Sequence, residues 1–189
     1  MTRVYLIRHG RPSSSWGGDD QDPGLDPVGQ AQARAVADRF VQLPVGDRPT
    51  RVVSSPLRRC RETAEPTARA MGLPLEIDPV FGEIPTPADL SDADRPAWLQ
   101  AAFRGNWADI DGDLDYDQWR HGIALALETY PGAAVFSHFV AINGVVSSLA
   151  GDPKVISFRP DHTSTSVFDV AATGLTLSQR GAEAATGVL

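Results

Sequence analysis

Short runs of consecutive apolar residues recur along this chain, each followed by a longer segment with a different periodicity. The first run, residues 4–7, is bulky or β-branched at every position, which is typical of a strand covered on both faces. Residues 51–55 and 133–137 repeat the pattern. Weaker runs predict further strands at residues 75–77, 164–170 and 175–178.

Between these runs, apolar residues return every three or four positions, as on one face of a helix. This spacing predicts helices over residues 28–41, 57–71, 116–129 and 139–150. Asp26 before Pro27 is typical of a helix start, and Gly72 of a helix end. Strands that alternate with helices predict an α/β fold, a three-layer α/β/α sandwich with a mainly parallel central sheet. We expect a single domain over residues 1–189.

Residues 82–117 interrupt this alternation, because they combine several prolines, two tryptophans and many aspartates. We expect a short helical excursion that lies over the active-site edge of the sheet. The acidic run at residues 109–117 does not have calcium-loop spacing, since its glycine follows the second aspartate and Arg120 stands where a bidentate glutamate is needed. Asp115 is better explained as a helix cap.

Charge and composition exclude two classes of partner. Of the 189 residues, 24 are acidic and 17 basic, and the net charge of −7 argues against a nucleic-acid partner. The chain has no apolar run close to the ~20 residues of a membrane span. It also has no signal-peptide pattern, so we expect a cytoplasmic protein with no membrane partner.

The single cysteine, Cys60, excludes an intramolecular disulfide and a cysteine-rich metal site. We see neither a phosphate-binding Gly-x-x-x-x-Gly-Lys loop nor zinc-ligand spacing, so we expect no metal and no cofactor. The sequence leaves the oligomeric state open.

Residues with catalytic chemistry follow three of the predicted strands. Arg8 and His9 end the first strand, a serine and arginine cluster at residues 54–59 follows the second, and His138 ends the run at residues 133–137. The carboxyl ends of parallel strands meet at one sheet edge. There an imidazole can act as a nucleophile while guanidinium groups bind an anion, which indicates phosphoryl chemistry.

Four ordered blocks make the pattern specific. They are Leu-Ile-Arg-His-Gly at residues 6–10, Leu-Asp-Pro-Val-Gly-Gln-Ala at 25–31, Ser-Ser-Pro-Leu-Arg-Arg-Cys-Arg-Glu-Thr-Ala at 54–64, and Ser-His at 137–138. Together they resemble the histidine phosphatase superfamily, and within it the branch that includes cofactor-dependent phosphoglycerate mutases. The resemblance implies a covalent phosphohistidine that water then hydrolyses.

We interpret His9 as the nucleophile, with Arg8 and Arg58 holding the phosphoryl oxygens. The resemblance assigns a phosphate-donating role to His138 and makes Glu83 the proton donor to the leaving oxygen. For Arg59 and Arg61 we expect solvated side chains, or ion pairs with the nearby glutamates. We assign lesser substrate-binding roles to two further residues, Ser15 and His162.

The sequence therefore predicts a metal-independent phosphomonoester hydrolase that acts on a small phosphorylated metabolite, with a phosphoprotein as a further possible substrate. The alternatives are a phosphotransferase of the phosphoglycerate mutase type and a non-catalytic module that binds a phosphate ligand. One residue departs from the family pattern, since Phe139 follows His138 where the family usually has glycine. Its ring could narrow the site or pack under the helix.

Overall fold

The computed structural model describes residues 2–14, 20 and 22–184, and its centre is a six-stranded sheet. The strands are β1 (Thr2–Arg8), β2 (Arg51–Ser54), β3 (Leu75–Ile77), β4 (Ala133–Ser137), β5 (Thr165–Ala171) and β6 (Gly174–Gln179). In space their order is β3-β2-β4-β1-β5-β6. The first four are parallel, whereas β5 and β6 are antiparallel to their neighbours, so the predicted mainly parallel α/β fold is confirmed.

The helices are α1 (Pro27–Gln42), α2 (Arg58–Met71), α3 (Arg95–Arg104), α4 (Tyr116–Glu128) and α5 (Phe139–Ala150). Except for α3, each helix and strand lies within two residues of its predicted bounds. Asp26 caps α1 by accepting from the Gly29 N–H, and Asp115 caps α4 by accepting from the Gln118 N–H. No helix in the described part of the chain is long and apolar enough to cross a membrane.

Helices cover the sheet on both faces, which explains why its strands are apolar at consecutive positions. Side chains of β1 alternate: Tyr5 and Ile7 pack with residues of α1 and α2, whereas Val4 and Leu6 pack with residues of α4 and α5. Helices on both faces therefore pack against β1, and this packing holds the carboxyl end of the strand, where Arg8 lies, in place.

The segment between β3 and α4, residues 78–115, contains α3 and two short 3-10 turns, Pro79–Phe81 and Trp107–Asp109. It has an apolar cluster of its own, in which Ile84 and Trp107 pack with Phe139 at the start of α5. Arg120 of α4 supports this packing, since its Nη1 donates to Ser147 Oγ and to the Asp152 carbonyl. The segment is thus packed next to the residue that follows His138.

Candidate active site

His9 lies directly after β1, and its backbone N–H donates to the Ser137 carbonyl at 3.0 Å. Its Nδ1 lies 2.8 Å from the Gly10 carbonyl oxygen. A carbonyl only accepts, so Nδ1 carries the proton and Nε2 keeps its lone pair. Burial, together with the cations of Arg59 and Arg8, holds the pKa of His9 well below its usual value. The ring is therefore neutral, with an available Nε2.

His138 ends β4, is fully buried, and has its ring centroid 5.3 Å from that of His9. Arg59 Nη2 donates to its Nδ1 at 3.2 Å. Because Nδ1 accepts, the ring proton is on Nε2, which donates to Ser55 Oγ at 2.8 Å. Burial and the Arg59 cation lower the pKa of His138, so this ring is neutral as well.

Arg8 is buried beside the two histidines. Its Nη1 donates to the Pro160 carbonyl at 2.9 Å, and its guanidinium carbon lies 5.0 Å from the ring centroid of Phe139. Burial lowers the pKa of Arg8 to about 10, which leaves it charged at neutral pH. Its Nε is buried without a hydrogen-bond partner among the described residues, so a donor remains for an anion. Phe139, 5 % exposed, packs inward against Arg8 and Phe103.

The two arginines at the start of α2 lie the opposite way round from our prediction. Arg59, which we expected to be solvated or paired with a glutamate, is buried against His138. Arg58, which we expected to hold phosphate, has a side chain 56 % exposed. Its Nε donates to Glu62 Oε1 at 2.7 Å, and its backbone N–H donates to Asp22. The structure brings Arg59, and not Arg58, to the histidines.

The helical periodicity of α2 explains this correction. Its small or weakly polar residues form one buried stripe, which contains Cys60, Thr63, Ala64, Thr67 and Ala68. Arg59 lies on this stripe four residues before Thr63, whereas Arg58 lies four residues before Glu62 on the exposed face. The stripe was a signal that our sequence analysis did not use.

Glu83 follows the first 3-10 turn, and its side chain is 4 % exposed. One carboxylate oxygen accepts from the Ile84 N–H, and Oε2 is buried without a hydrogen-bond partner among the described residues. Oε2 lies 3.8 Å from His138 Nδ1, but His138 is neutral, so the two groups are neighbours and do not form an ion pair. Burial raises the pKa of Glu83 against the opposing effect of Arg59. The carboxyl group is thus suited to holding a proton.

His162 lies on the other side of His9, with 5.7 Å between the ring centroids. Its Nδ1 donates to the His9 carbonyl at 3.3 Å. Burial and the Arg8 cation lower its pKa to about 4, so it is neutral across the physiological range. The structure therefore brings together five of the predicted residues, whereas Ser15 lies outside the described residues.

Several residues at this edge had no predicted role. Thr63 Oγ1 accepts from the Gly10 N–H at 2.9 Å and fixes the backbone after His9. A Cβ at Gly10 would lie 2.8 Å from the Gly29 carbonyl, so glycine is needed for α1 to approach. Arg95, at the start of α3, donates to Thr86 Oγ1 and lowers the pKa of Glu83. An arginine at a helix start gave no sequence signal of proximity to the site.

Cys60 lies beneath this cluster and is fully buried. Its thiol donates to the Ser137 carbonyl at 3.4 Å, and its sulfur is 3.3 Å from His138 Nε2. Burial raises the pKa of this thiol, and the opposing effect of the Arg59 cation is smaller. Cys60 is a packing residue and not a reactive thiolate.

Comparison with known families agrees with this geometry. The model of the histidine phosphatase superfamily (branch 1) matches residues 4–182. The chain belongs to the histidine phosphatase superfamily. Among curated relatives, a probable phosphoglycerate mutase GpmB from Escherichia fergusonii is 28 % identical, over 81 % of this chain and 77 % of the relative.

Solved structures of other proteins have the same fold. A phosphoserine phosphatase from Entamoeba histolytica, in complex with 3-phosphoglyceric acid, superposes with a TM-score of 0.75 at 20 % identity and covers 96 % of this chain and 98 % of its own. A mycobacterial glucosyl-3-phosphoglycerate phosphatase gives a TM-score of 0.72 at 18 % identity and covers 96 % and 99 %. At these identities the likeness shows a shared fold. Both of these neighbours are phosphatases by name.

Proposed function

We propose that this histidine phosphatase superfamily member is a metal-independent phosphomonoester hydrolase that forms a phosphohistidine at His9. The observation that carries the proposal is the hydrogen bond from His9 Nδ1 to the Gly10 carbonyl, which leaves Nε2 as the nucleophilic atom. The neutral state of the ring supports it, because a protonated imidazole has no lone pair for phosphorus.

In the first step, His9 Nε2 attacks phosphorus and the bond to the leaving oxygen breaks. Arg8 and Arg59 are the buried cations beside His9, and they would bind the phosphoryl oxygens and offset the charge that grows in the transition state. Glu83 gives its proton to the leaving oxygen, which departs as an alcohol.

In the second step, water attacks the phosphohistidine. The Glu83 carboxylate takes a proton from the water, the phosphorus–nitrogen bond breaks, and phosphate leaves with His9 restored. The same carboxyl group thus acts first as acid and then as base. Two observations support this role for Glu83. Its Oε2 is buried without a hydrogen-bond partner among the described residues, and it lies 3.8 Å from His138 Nδ1.

His138 has a supporting role in this proposal. Its ring connects Arg59 to Ser55, so it fixes the direction of the guanidinium. To donate to phosphate as well, as the family resemblance implies, His138 Nε2 must exchange Ser55 Oγ for a phosphoryl oxygen. The substrate we propose is a small phosphorylated metabolite; a phosphoprotein is a second possible source of the phosphate ester.

A mutase-type phosphotransferase is the second candidate, because curated relatives of 28 % identity carry that name. Such an enzyme must retain a phosphorylated acid between two transfers, and cations help to hold it. After Arg8 and Arg59, Arg95 is a third cation close to Glu83. Incubation with 3-phosphoglycerate and a bisphosphoglycerate primer separates the two. We expect free phosphate, and formation of 2-phosphoglycerate would instead identify a transferase.

In the central experiment, the protein is mixed with an aryl phosphate whose phosphoryl group is radiolabelled, and the reaction is stopped rapidly without acid. We expect alkali-stable, acid-labile label on His9, no label on the His9→Ala variant, and unchanged turnover in the presence of a chelator. Label on another residue would contradict the assigned nucleophile. Loss of activity with chelator would contradict metal independence.

A further inference from the structure

Phe139, the residue that departs from the family pattern, lies beside the proposed phosphate site. It is the first residue of α5, directly after His138, and it is 5 % exposed. Its ring contacts a buried cation as well as apolar side chains. Because that cation belongs to the proposed site, the contact bears on phosphate binding.

The cation is Arg8, which is 4 % exposed. Its guanidinium carbon lies over the Phe139 ring, 5.0 Å from the ring centroid, which is within the distance of a cation–π contact. Such contacts are stronger when the cation has lost its water, because the negative face of the ring then replaces part of the lost hydration. Phe139 therefore stabilises Arg8 as a charged group inside the protein.

The ring and one hydrogen bond together restrict how the guanidinium can turn. Arg8 Nη1 donates to the Pro160 carbonyl at 2.9 Å, which fixes one corner of the planar group. A single hydrogen bond still allows rotation about that contact, and the ring over which the group lies opposes this rotation. The two contacts therefore define the direction of the remaining N–H donors.

Phe139 is itself held by buried hydrogen bonds, so it can act as a support. Its carbonyl accepts from Asn143 Nδ2 at 3.0 Å. Asn143 is fully buried, and its Oδ1 accepts from the Ser157 and Phe158 N–H groups. These bonds connect the first turn of α5 to the chain that precedes β5. Movement of this turn would break several buried hydrogen bonds, which is costly.

Phe139 also belongs to the apolar cluster on which Glu83 depends. The cluster includes Ile84, the residue after Glu83. It also includes Phe103 of α3, whose ring centroid lies 6.0 Å from that of Phe139. One side chain thus contacts both the cation at the end of β1 and the packing around the proposed acid.

We propose that Phe139 is a positioning residue for phosphate binding, whose ring holds the Arg8 guanidinium in the direction from which it meets a phosphoryl group. The ring does not touch the substrate and acts through Arg8. The proposal rests on the proposed function only in taking Arg8 as a phosphate ligand. The competing explanation is that the ring fills space beneath α5 and nothing more.

The first test is calorimetric titration of the full chain with inorganic phosphate, which needs no turnover. Phe139→Leu keeps a large apolar side chain but removes the aromatic face, and we expect phosphate to bind about tenfold more weakly. Phe103→Leu makes the same change on the ring that packs against Phe139, and we expect binding within about threefold of the unmodified chain. Circular dichroism checks that both variants are folded.

A trifluorinated phenylalanine at position 139 separates the contact with the cation from the shape of the ring. Fluorine withdraws electrons from the ring face and changes the size of the side chain little, so attraction for a cation weakens while packing is kept. We expect phosphate affinity to fall in the order phenylalanine, trifluorophenylalanine, leucine. The same replacement at Phe103 should leave the affinity unchanged.

An NMR spectrum without phosphate reports on Arg8 directly. Groups that lie over the face of an aromatic ring are shielded, so the guanidinium resonances of Arg8 should lie upfield in the unmodified chain. They should move downfield in the Phe139→Leu variant and stay in place in the Phe103→Leu variant.

Three outcomes would overturn the proposal. They are equal weakening of phosphate binding by the two leucine variants, unchanged affinity with the fluorinated ring, and Arg8 resonances that do not move in Phe139→Leu. Failure of the proposed function gives a different result. A chain whose phosphate affinity depends on Phe139 in this way, but which releases no phosphate from an aryl phosphate, would overturn the hydrolase alone. A chain that binds no phosphate would overturn both.

Discussion

The candidate active site has a floor and a roof that are held in place in different ways. The floor consists of Arg8, His9, Ser55, Arg59 and His138, which lie at or just after the ends of β1, β2 and β4. Strand pairing fixes their backbones: His9 donates to Ser137, and Ser55 donates to Phe136. The roof is the segment of residues 78–115, which contains Glu83 and Arg95 and is held by its own apolar cluster.

This difference in how the two parts are held coincides with a difference in the groups that they contribute. In the mechanism that we propose, the floor presents the nucleophile and the cations, and strand pairing fixes its backbone. The roof contributes the proposed proton donor, Glu83. Side-chain packing holds the roof in place, and such packing tolerates changes of sequence better than strand register does. We therefore expect floor residues to set whether phosphate is transferred, and roof residues to set from which molecule.

The largest effect should come from the floor. His9→Ala removes the atom that we propose as the nucleophile, and we expect kcat with an aryl phosphate to fall by about 10⁴-fold or more. Phosphate binding should persist, because Arg8 and Arg59 remain. Turnover within tenfold of the unmodified protein would place the nucleophile elsewhere.

A change in the roof should depend on the leaving group. Glu83→Gln keeps the shape but cannot donate a proton, so kcat for an alkyl phosphate should fall by about 10³-fold. The fall should be much smaller for 4-nitrophenyl phosphate, whose leaving group is stable without protonation. Equal losses with both substrates would show that Glu83 only shapes the site.

The corrected pair of arginines makes the next comparison. Arg59→Ala should reduce kcat/KM by about 10²-fold, because it removes a buried donor beside His9. Arg58→Ala removes only an exposed ion pair with Glu62 and should stay within about threefold. The reverse order in steady-state kinetics would restore the role that we first gave to Arg58.

The smallest effect concerns stability and pH. The pKa of His162 is lowered to about 4 in the folded protein, against about 6.5 in an unfolded chain. Its contribution to the free energy of unfolding is thus present above pH ~6.5 and is lost as the pH falls toward 4. Since the ring is partly exposed, we expect about 1 kcal/mol between pH 7 and pH 5.

Urea unfolding of the His162→Gln variant at both pH values checks this. Its stability should change less with pH than that of the unmodified protein. His121→Gln, at an exposed histidine on α4, is the matched control for replacing an imidazole with an amide. The same change of stability with pH in the His162→Gln variant and in the unmodified protein would contradict the lowered pKa of His162.

The sequence predicted the floor well because strand ends in a parallel sheet share an edge, whatever the loops do. It predicted Arg8, His9 and His138 there, and the structure brings them together. Arg59 was misplaced because neighbouring residues on a helix point about 100° apart, so Arg58 and Arg59 face different ways. The direction of the buried stripe of α2 would have shown that Arg59 faces inward. Arg95 was not identified, since its proximity to Glu83 depends on packing of α3 that no local pattern encodes.

The burial of Cys60 has a practical consequence. The chain's one thiol is covered and has a raised pKa, so an alkylating reagent meets no accessible thiolate in the folded protein. A cysteine introduced at an exposed position, such as Leu125 on α4, would then be the single reactive sulfur. The native sequence is already a suitable background for attaching one fluorophore, with no cysteine to remove first.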